Sequence, residues 1–317
     1  MNILSFVKAN TLPVSIFVGA TCYLTFYYTP ALDKAGDTLA PVFDTLFPFS
    51  VFLTLFTTFS KVNFKRLRPV RWHAALTVCQ LLLIALNAGI VLLVAADPTQ
   101  KTLWEACLTC VIAPCASAAP VVSAKLGGDL NTMTTHTLMS SMLCAITIPL
   151  VFPLLEQTVH VAFLTASWII LQKLMMVMLL PLLLGWIVRH YVHPVYRFIV
   201  SHPDLGFYCW SFSLAITTGI TFKNIFRSAP PASMLIGIAL LSLLACILQF
   251  FIGRTVGRYT GEHINTGQGM FQKNTAMSIW VAYMYLNPLA SIGAGCYVLW
   301  QNIINSIELY KFRRVNP

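Results

Sequence analysis

A chain of 317 residues in which 57% of the residues are hydrophobic and 9% are charged is not an ordinary soluble domain, because such domains carry about 25% charged residues. Its apolar runs are long and continuous rather than alternating, which favours membrane-spanning helices over a β-barrel. The formal net charge of +10 does not indicate nucleic acid binding, because the basic residues fall between the apolar runs.

The apolar runs predict an all-α membrane protein, with a single domain that covers residues 1–317. No cleavable signal peptide is expected, because the first apolar run is already long enough to cross a bilayer. The nine cysteines lie mostly within apolar runs, which predicts packing rather than disulfide bonds. The predicted spans lie near residues 11–29, 40–60, 72–96, 102–126, 131–155, 160–188, 205–223, 230–256, 264–286 and 288–311.

The Lys and Arg residues between the spans predict the orientation of the chain. With the amino terminus inside the cell, the cytoplasmic segments contain most of the basic residues, as expected for an integral protein of a bacterial inner (plasma) membrane with both termini in the cytoplasm. The residues on that side are Lys8, Lys61, Lys65, Arg66, Arg68, Arg71, Lys125, Arg189, Arg197, Arg254, Arg258, Lys311, Arg313 and Arg314. The opposite side contains Lys34, Lys101, Lys223 and Arg227.

The fourth and ninth spans contain residues that interrupt helices. Pro114 and Pro120 bracket a run of small residues in the fourth span, and Gly267 and Gly269 precede a polar cluster in the ninth. These are the fourth spans of two five-span halves, and an odd number of spans gives the halves opposite orientations. Interrupted spans at corresponding positions of inverted repeats indicate a transport site. Two flexible, packed helices are the alternative interpretation.

The polar cluster in the ninth span contains a lysine, Lys273, between Gln272 and Asn274. A charge near the bilayer centre costs roughly 2.5–3.5 kcal/mol, so it is found mainly where it faces a cavity, a partner or a ligand. We therefore interpret Lys273 as a functional residue. A lysine that reaches water or the membrane surface is the alternative.

Several stretches follow one another in the order of a known family. The chain resembles the bile acid:sodium symporter family over nearly its whole length. The resemblance implies ten helices in two inverted five-helix repeats, approximately residues 1–156 and 157–317, with helices 4 and 9 broken where they cross. The stretches are residues 58–69 (TFSKVNFKRLRP), 113–129 (APCASAAPVVSAKLGGD), the residues Thr137, Ser140 and Pro149 in the same register, 179–185 (LLPLLLG) and 288–306 (PLASIGAGCYVLWQNIINS).

The resemblance also implies that one of the two sodium sites of such symporters is altered. By register, a Ser-Asn pair of the family falls on Ala119 and Pro120, two hydroxyl residues fall on Met133 and Thr137, and a glutamate falls on Gln268. Of these oxygen ligands only the Thr137 hydroxyl and the Gln268 amide remain. We predict that this sodium site is absent.

The second sodium site of the family corresponds here to Gln80 and Gln272, without the shared glutamate. The family's ninth-helix Gln-Asn pair becomes Gln272-Lys273, so a fixed cation is gained where an anionic ligand is lost. The hypothesis is that Lys273 takes the place of a sodium ion, so that transport is sodium-independent or coupled to protons. Na⁺ and H⁺ are both possible coupling ions. Alternatively, Lys273 binds an anionic substrate directly.

Substrate contacts in the family correspond to Ser117, Lys273, Gln301 and Asn302. For Gln301 and Asn302 the alternative is an interhelical hydrogen-bonded pair. His136 lies beside Thr137 in the fifth span and is a candidate for ion coupling, with an ordinary hydrogen-bonded histidine as its alternative.

The predicted function is secondary-active transport of a small organic anion across a lipid bilayer, with no cofactor, no resident metal and no nucleic acid partner. Arsenite efflux is a second possibility, because a thiol such as that of Cys115 suits a metalloid. A ligand-binding membrane sensor is a third. An enzyme is not expected, because the spans show neither a nucleophile–base pair nor paired carboxylates.

Overall fold

The computed structural model describes residues 11–156, 163–202 and 205–315, and this part of the chain is almost entirely helical. The part contains no β-strand, only an isolated antiparallel bridge between Cys115 and Lys273. A π-helical turn at Met175–Leu179 connects the helix Phe163–Leu174 with the helix Leu180–Tyr191. The helices are α1 (Thr11–Tyr28), α2 (Asp33–Phe59), α3 (Arg71–Leu93), α4 (Pro98–Ile112), α5 (Ala119–Lys125), α6 (Leu130–Leu155), α7 (Phe163–Leu174), α8 (Leu180–Tyr191), α9 (His193–Ser201), α10 (Leu205–Ser228), α11 (Ala232–Thr260), α12 (His263–Phe271), α13 (Thr275–Tyr285) and α14 (Ser291–Val315).

Five helical segments in the described residues are long and apolar enough to cross a membrane. The prediction of an all-helical membrane protein is thereby confirmed, whereas ten spans in two inverted repeats remains a prediction. Helices α4 and α13 are 15 and 11 residues long, and at 1.5 Å per residue neither can span a core of about 30 Å alone. The five segments are Pro41–Phe59, Arg71–Leu93, Leu130–Leu155, Phe163–Tyr191 and Ala232–Thr260.

The surface of the long helices is apolar, and several of their amides are buried. Leu82 and Leu93 on α3 and Leu244 on α11 are strongly exposed, whereas Gln80 and Gln249 on the same two helices are buried. A soluble protein shows the reverse distribution. Large apolar side chains on the outside are what a lipid-facing helix requires.

Both predicted interruptions exist. Helix α4 ends at Ile112 and α5 begins at Ala119, while α12 ends at Phe271 and α13 begins at Thr275. Pro114 lies in the first gap, where its missing N–H and its ring oppose a continuous helix. In the second gap Asn274 caps α13, with its side-chain oxygen accepting a hydrogen bond from Met277 N at 3.2 Å.

The glycines of the ninth span act by close packing and lie before the break. Gly267 and Gly269 are inside α12, where a Cβ would lie 2.9 Å from the Arg254 side chain and 2.9 Å from the His136 ring, respectively. The sequence predicts that these glycines weaken the helix. The structure shows instead that they let two polar side chains approach the α12 backbone.

The chain divides into two compact units. The first comprises Met1–Val62 and Met176–Ala229, and the second comprises Asn63–Met175 and Pro230–Pro317. The second unit contains α3–α7 and α11–α14, and therefore both interruptions.

Candidate functional site

The two interrupted segments cross and hold each other by backbone hydrogen bonds. Ala116 N donates to Gln272 O at 2.8 Å, and Asn274 N donates to Pro114 O at 2.8 Å. These bonds flank the antiparallel bridge between Cys115 and Lys273. Opposed residues in such a pair project their side chains to the same face of the ribbon. The crossover therefore brings a thiol and an ammonium group from distant parts of the chain together.

The backbone of the first break (residues 113–118) is supported by side chains from α3 and α6. Gln80 Nε2 donates to Ala113 O at 3.1 Å, and Ser140 Oγ accepts a hydrogen bond from Cys115 N at 2.9 Å. Ser140 Oγ also donates to Gln80 Oε1 at 3.4 Å. Groups that lose their helical partners at a break must be satisfied elsewhere when they are buried. Gln80, predicted to bind sodium, here stabilises the end of α4.

The backbone of the second break (residues 272–274) is supported by α11 and α14. Gln301 Oε1 accepts from Lys273 N at 2.9 Å, and Gln301 Nε2 donates to Lys273 O at 3.3 Å. Tyr297 Oη donates to Phe271 O at 2.7 Å and accepts from Gln249 Nε2 at 3.0 Å. The Gln301 amide thus hydrogen-bonds the backbone N–H and C=O of Lys273, and it holds that residue at the crossover.

Three other predicted residues are placed less centrally. Asn302 Nδ2 donates to Val298 O of its own helix at 2.6 Å, so it does not pair with the neighbouring Gln301 amide. Ser117 lies within the first break and is partly buried. Thr137 Oγ1 donates to Met133 O at 3.1 Å and lies 3.7 Å from the thiol of Cys115.

A group of buried polar side-chain atoms around the second break has no hydrogen-bond partner among the described residues. It comprises Lys273 Nζ, both amide atoms of Gln268, Gln272 Oε1 and His136 Nδ1. Lys273 is 1% exposed and Gln268 is 0% exposed. The other ring nitrogen of His136 lies 3.2 Å from Gly269 O. Unsatisfied buried polar groups are costly, and their concentration in one place indicates a site that another molecule or ion completes.

The electrostatic surroundings of Lys273 contain no compensating carboxylate in the described part of the chain. Its electrostatic neighbours include the thiols of Cys144, Cys115 and Cys110 and the ring of His136. The ion pairs found in that part of the chain lie elsewhere. The carboxyl ends of α4 and α12 carry partial negative charge, which is the available compensation for the ammonium group. A buried, unpaired ammonium group is suited to bind an anion.

The cysteines of the described residues are not part of a converging set of metal ligands. No group of three or more His, Cys, Asp or Glu side chains there is arranged to hold a metal ion. Cys115 contributes to the crossover through its backbone and through its position opposite Lys273. The thiol chemistry that motivated arsenite efflux thus lacks a set of converging ligands in the described part.

Sequence reasoning missed a second charged cluster at the start of α4. Lys101 Nζ lies 2.8 Å from Glu156 Oε1 and 3.6 Å from Glu105 Oε1. The sequence predicts no paired carboxylates in the spans, yet Glu105 is buried within α4 and shares this ammonium group with Glu156. The spacing of four residues between Lys101, just before the predicted fourth span, and Glu105, inside it, was a visible signal. The approach of Glu156 depends on tertiary structure.

Similarity to a known protein family covers much of the chain. The family model described as "Sodium Bile acid symporter family" matches residues 47–254, more than half of the chain. The chain belongs to the sodium bile acid symporter family. The protein is therefore a membrane transporter of the sodium/bile acid symporter type. A comparison with curated proteins finds no match. The matched region of this symporter-family protein includes the first break and ends before the second, so the family model does not cover Lys273.

Proposed function

We propose that this protein is a secondary-active transporter of a small organic anion, and that Lys273 takes the place of a coupling sodium ion at the crossover. The observation that carries the proposal is the Lys273 ammonium group, which is buried where two interrupted helices cross and has no hydrogen-bond partner among the described residues. A charge in that position requires a counter-charge. An anionic substrate can supply it.

The surrounding residues support an anionic substrate. Gln268 and Gln272 lie one helical turn apart at the end of α12. The unpartnered Gln268 Nε2 can donate a hydrogen bond to a carboxylate or sulfonate, and the unpartnered side-chain oxygens of both residues can accept hydrogen bonds from donor groups of the substrate. Gln301 fixes the backbone of Lys273 rather than contacting substrate. We assign Lys273, Gln268 and Gln272 to the binding site. Ser117 and Asn302 remain candidate substrate contacts at its edge, and His136 and Thr137 remain candidates for ion coupling.

The residues present fit a sodium ion poorly. Sodium prefers several hard oxygen ligands. The positions expected to provide them hold Ala119, Pro120 and Met133, and only the Thr137 hydroxyl and the neutral amide of Gln268 remain as oxygen ligands. The remaining oxygen of Gln80 accepts a hydrogen bond from Ser140. A fixed ammonium group can replace the charge of the ion. Transport would then be sodium-independent or coupled to protons.

The architecture that goes with this function is ten membrane spans in two inverted five-helix repeats, with both termini in the cytoplasm of a bacterial cell. The order of the helices and the interruption of the fourth and ninth segments support it. The concentration of Lys and Arg between alternate spans supports the orientation. The partners are the lipid bilayer and the transported anion, and no cofactor is required.

The test is uptake of radiolabelled organic anions by proteoliposomes containing the purified protein, with taurocholate, pantoate and pyruvate as probes, with and without sodium. We expect uptake of at least one probe without sodium. Uptake should be lost in Lys273→Ala and partly kept in Lys273→Arg, because arginine retains the charge but not the shape. Lys173→Ala is the matched control, since Lys173 is also in a predicted span but lies over the ring of Tyr285 at 5.9 Å.

Two results would contradict the proposal. Strict sodium dependence of the unmodified protein would show that Lys273 does not replace the ion. Unchanged uptake by Lys273→Ala would remove this side chain from the mechanism. A cell that becomes sensitive to arsenite on deletion of the gene, with protection lost in Cys115→Ser, would instead favour metalloid efflux.

A further inference from the structure

A second site lies away from the crossover, at the beginning of α4. The carboxylate of Glu105 is completely buried, and neither of its oxygens has a hydrogen-bond partner among the described residues. Its closest cationic group is Lys101 Nζ at 3.6 Å, and that ammonium group lies closer, at 2.8 Å, to Glu156 Oε1. Lys101 is one helical turn before Glu105 on α4, and Glu156 follows the last residue of α6.

The charges of this cluster do not balance when both carboxylates are ionised. One ammonium group then faces two carboxylates, and the cluster retains one negative charge. Lys101 is the nearer partner of Glu156, so the surplus resides on Glu105, whose oxygens accept no hydrogen bond from the described residues. Removing a carboxylate from water without donors or a full counter-charge is strongly unfavourable. The cluster therefore requires one more positive charge.

We propose that Glu105 is a proton-binding site, and that a proton carried there couples to anion transport. The cluster is open enough for exchange, because the side chains of Lys101 and Glu156 are 22% and 36% exposed whereas that of Glu105 is 1% exposed. A proton can reach Glu105 from the surface through Glu156, which already contacts the same ammonium group. This inference rests on the proposed transport function for its coupling role, but proton binding itself does not.

A proton fits the site better than a metal cation does. No group of three or more His, Cys, Asp or Glu side chains in the described residues is arranged to hold a metal ion. The charged groups that act on Glu105 are Lys101 on its own helix and Glu156 at the end of α6. Helices α3, α11, α13 and α14 also pack against α4, and none of them forms an ion pair with Glu105 among the described residues.

The position of Glu105 links the site to the crossover through one continuous helix. Ile112, where α4 ends at the first break, lies seven positions after Glu105, and at 1.5 Å per residue this is about 10 Å. When Glu105 is ionised, the Lys101 ammonium group is shared between Glu105 on α4 and Glu156 at the end of α6. When it is protonated, Lys101 pairs with Glu156 alone. Proton binding therefore changes the connection of α4 to α6 near one end of the helix whose other end forms the first break of the crossover.

The first experiment detects the proton directly and needs no transported substrate. Infrared difference spectra of the purified full-length protein, recorded between mildly acidic and alkaline pH, report the C=O stretching band of a protonated carboxyl group. We expect a band that titrates, that is lost in Glu105→Gln and that is shifted but present in Glu105→Asp. Glu308→Gln is the matched control, because Glu308 is ion-paired with Arg254. Its spectrum should keep the band.

A spectrum without a band that depends on Glu105 would overturn the proposal. A band removed by sodium chloride at constant pH would also overturn it, because the site would then bind a metal cation. The two variants that lack or shorten the carboxylate are compared by size-exclusion profile, so that unfolding cannot imitate the loss of the band.

The second experiment tests coupling in proteoliposomes with radiolabelled taurocholate. The measured quantity is accumulation driven by a pH gradient, divided by counterflow exchange without a gradient. In Glu105→Gln this ratio should fall to the value expected for passive equilibration, and in Glu105→Asp it should recover in part. An unchanged ratio would overturn the coupling role. Absence of counterflow in the unmodified protein would count against the proposed function for this probe, and the infrared result would still decide whether Glu105 binds a proton.

Discussion

The two breaks at the crossover are similar in their backbone and different in their side chains. At the first break, Gln80 and Ser140 hydrogen-bond backbone groups that have lost their helical partners. No buried side-chain N or O atom of residues 113–118, all of them described, is left without a partner. At the second break, the backbone is equally well bonded through Gln301 and Tyr297, yet the side chains of Gln272 and Lys273 keep polar atoms without a partner in the described part of the chain.

This difference distinguishes residues that stabilise the interrupted backbone from residues whose side chains can bind a ligand. A transporter needs interrupted helices that do not lose stability, so the backbone groups of both breaks are hydrogen-bonded by neighbouring helices. It also needs polar groups that are free to bind a ligand, and in this protein those groups belong to the second break. Changes at the first break should therefore affect stability, whereas changes to side chains at the second should affect transport.

The largest expected effect is a change of coupling ion in the double variant Gln268→Glu with Lys273→Asn. It removes the ammonium group and places a carboxylate one turn from Gln272, which restores the ligand types that the family resemblance assigns to the second sodium site. We expect anion uptake that increases several-fold with sodium, measured in proteoliposomes over a range of sodium concentrations. Gln268→Glu alone should instead pair with Lys273 and lower uptake. Sodium-independent uptake by the double variant would refute the replacement of an ion by Lys273.

Gln301→Ala should cost about 3 kcal/mol of unfolding free energy, because it removes a partner from both the N–H and the C=O of Lys273 in a buried segment. Thermal unfolding in detergent measures the loss. Asn302→Ala is the matched control on the next position of α14. Its amide is partly exposed and donates to Val298 O of the same helix, so it should lose much less. Equal losses would mean that the Gln301 bonds do not hold the second break.

Gly293→Ala should cost about 2 kcal/mol by forcing α14 away from α4. A Cβ at this position would lie 2.2 Å from Ala106 O, a backbone atom that cannot move independently. Since α14 also carries Tyr297 and Gln301, anion uptake should fall as well. Gly89→Ala on α3 is the control, because its Cβ would meet nothing within 4 Å. A stable, fully active Gly293→Ala would show that the second break tolerates movement of α14.

Cys144→Ala should have the smallest effect, a loss of about 1 kcal/mol, because it removes one hydrogen bond at the first break. Its thiol donates to Ile112 O at 3.0 Å. Thermal unfolding should show a small decrease that Cys144→Ser recovers in part, while Cys22→Ala, at an exposed position, should show none. Anion uptake should be unchanged in all three. A strong loss of uptake would place this neighbour of Lys273 in the binding site and weaken the distinction between the two breaks.

Much of the fold could be predicted because it depends on local properties of the chain. Long apolar runs require helices in a bilayer, since a helix satisfies its own backbone groups there. Pro114 opposes a continuous helix whatever surrounds it, and Asn274 favours the start of a new one. The cost of a charge in an apolar span likewise distinguishes Lys273 from the other residues of the ninth span. Local covalent and solvation constraints determined these features.

Only the tertiary structure decided what each polar side chain contacts. Gln301 and Gln272 are both amides near an interruption, yet one is bonded to the backbone of Lys273 and the other has an oxygen with no partner among the described residues. Glu105 became a candidate site because α6 brings Glu156 to the same lysine. Hydrogen bonds and charge pairs between distant segments depend on ångström-scale distances that sequence spacing does not contain. The sequence by itself determined where the helices break and where the buried charge lies, and the packing of α3, α6, α11 and α14 decided which groups remain free to bind.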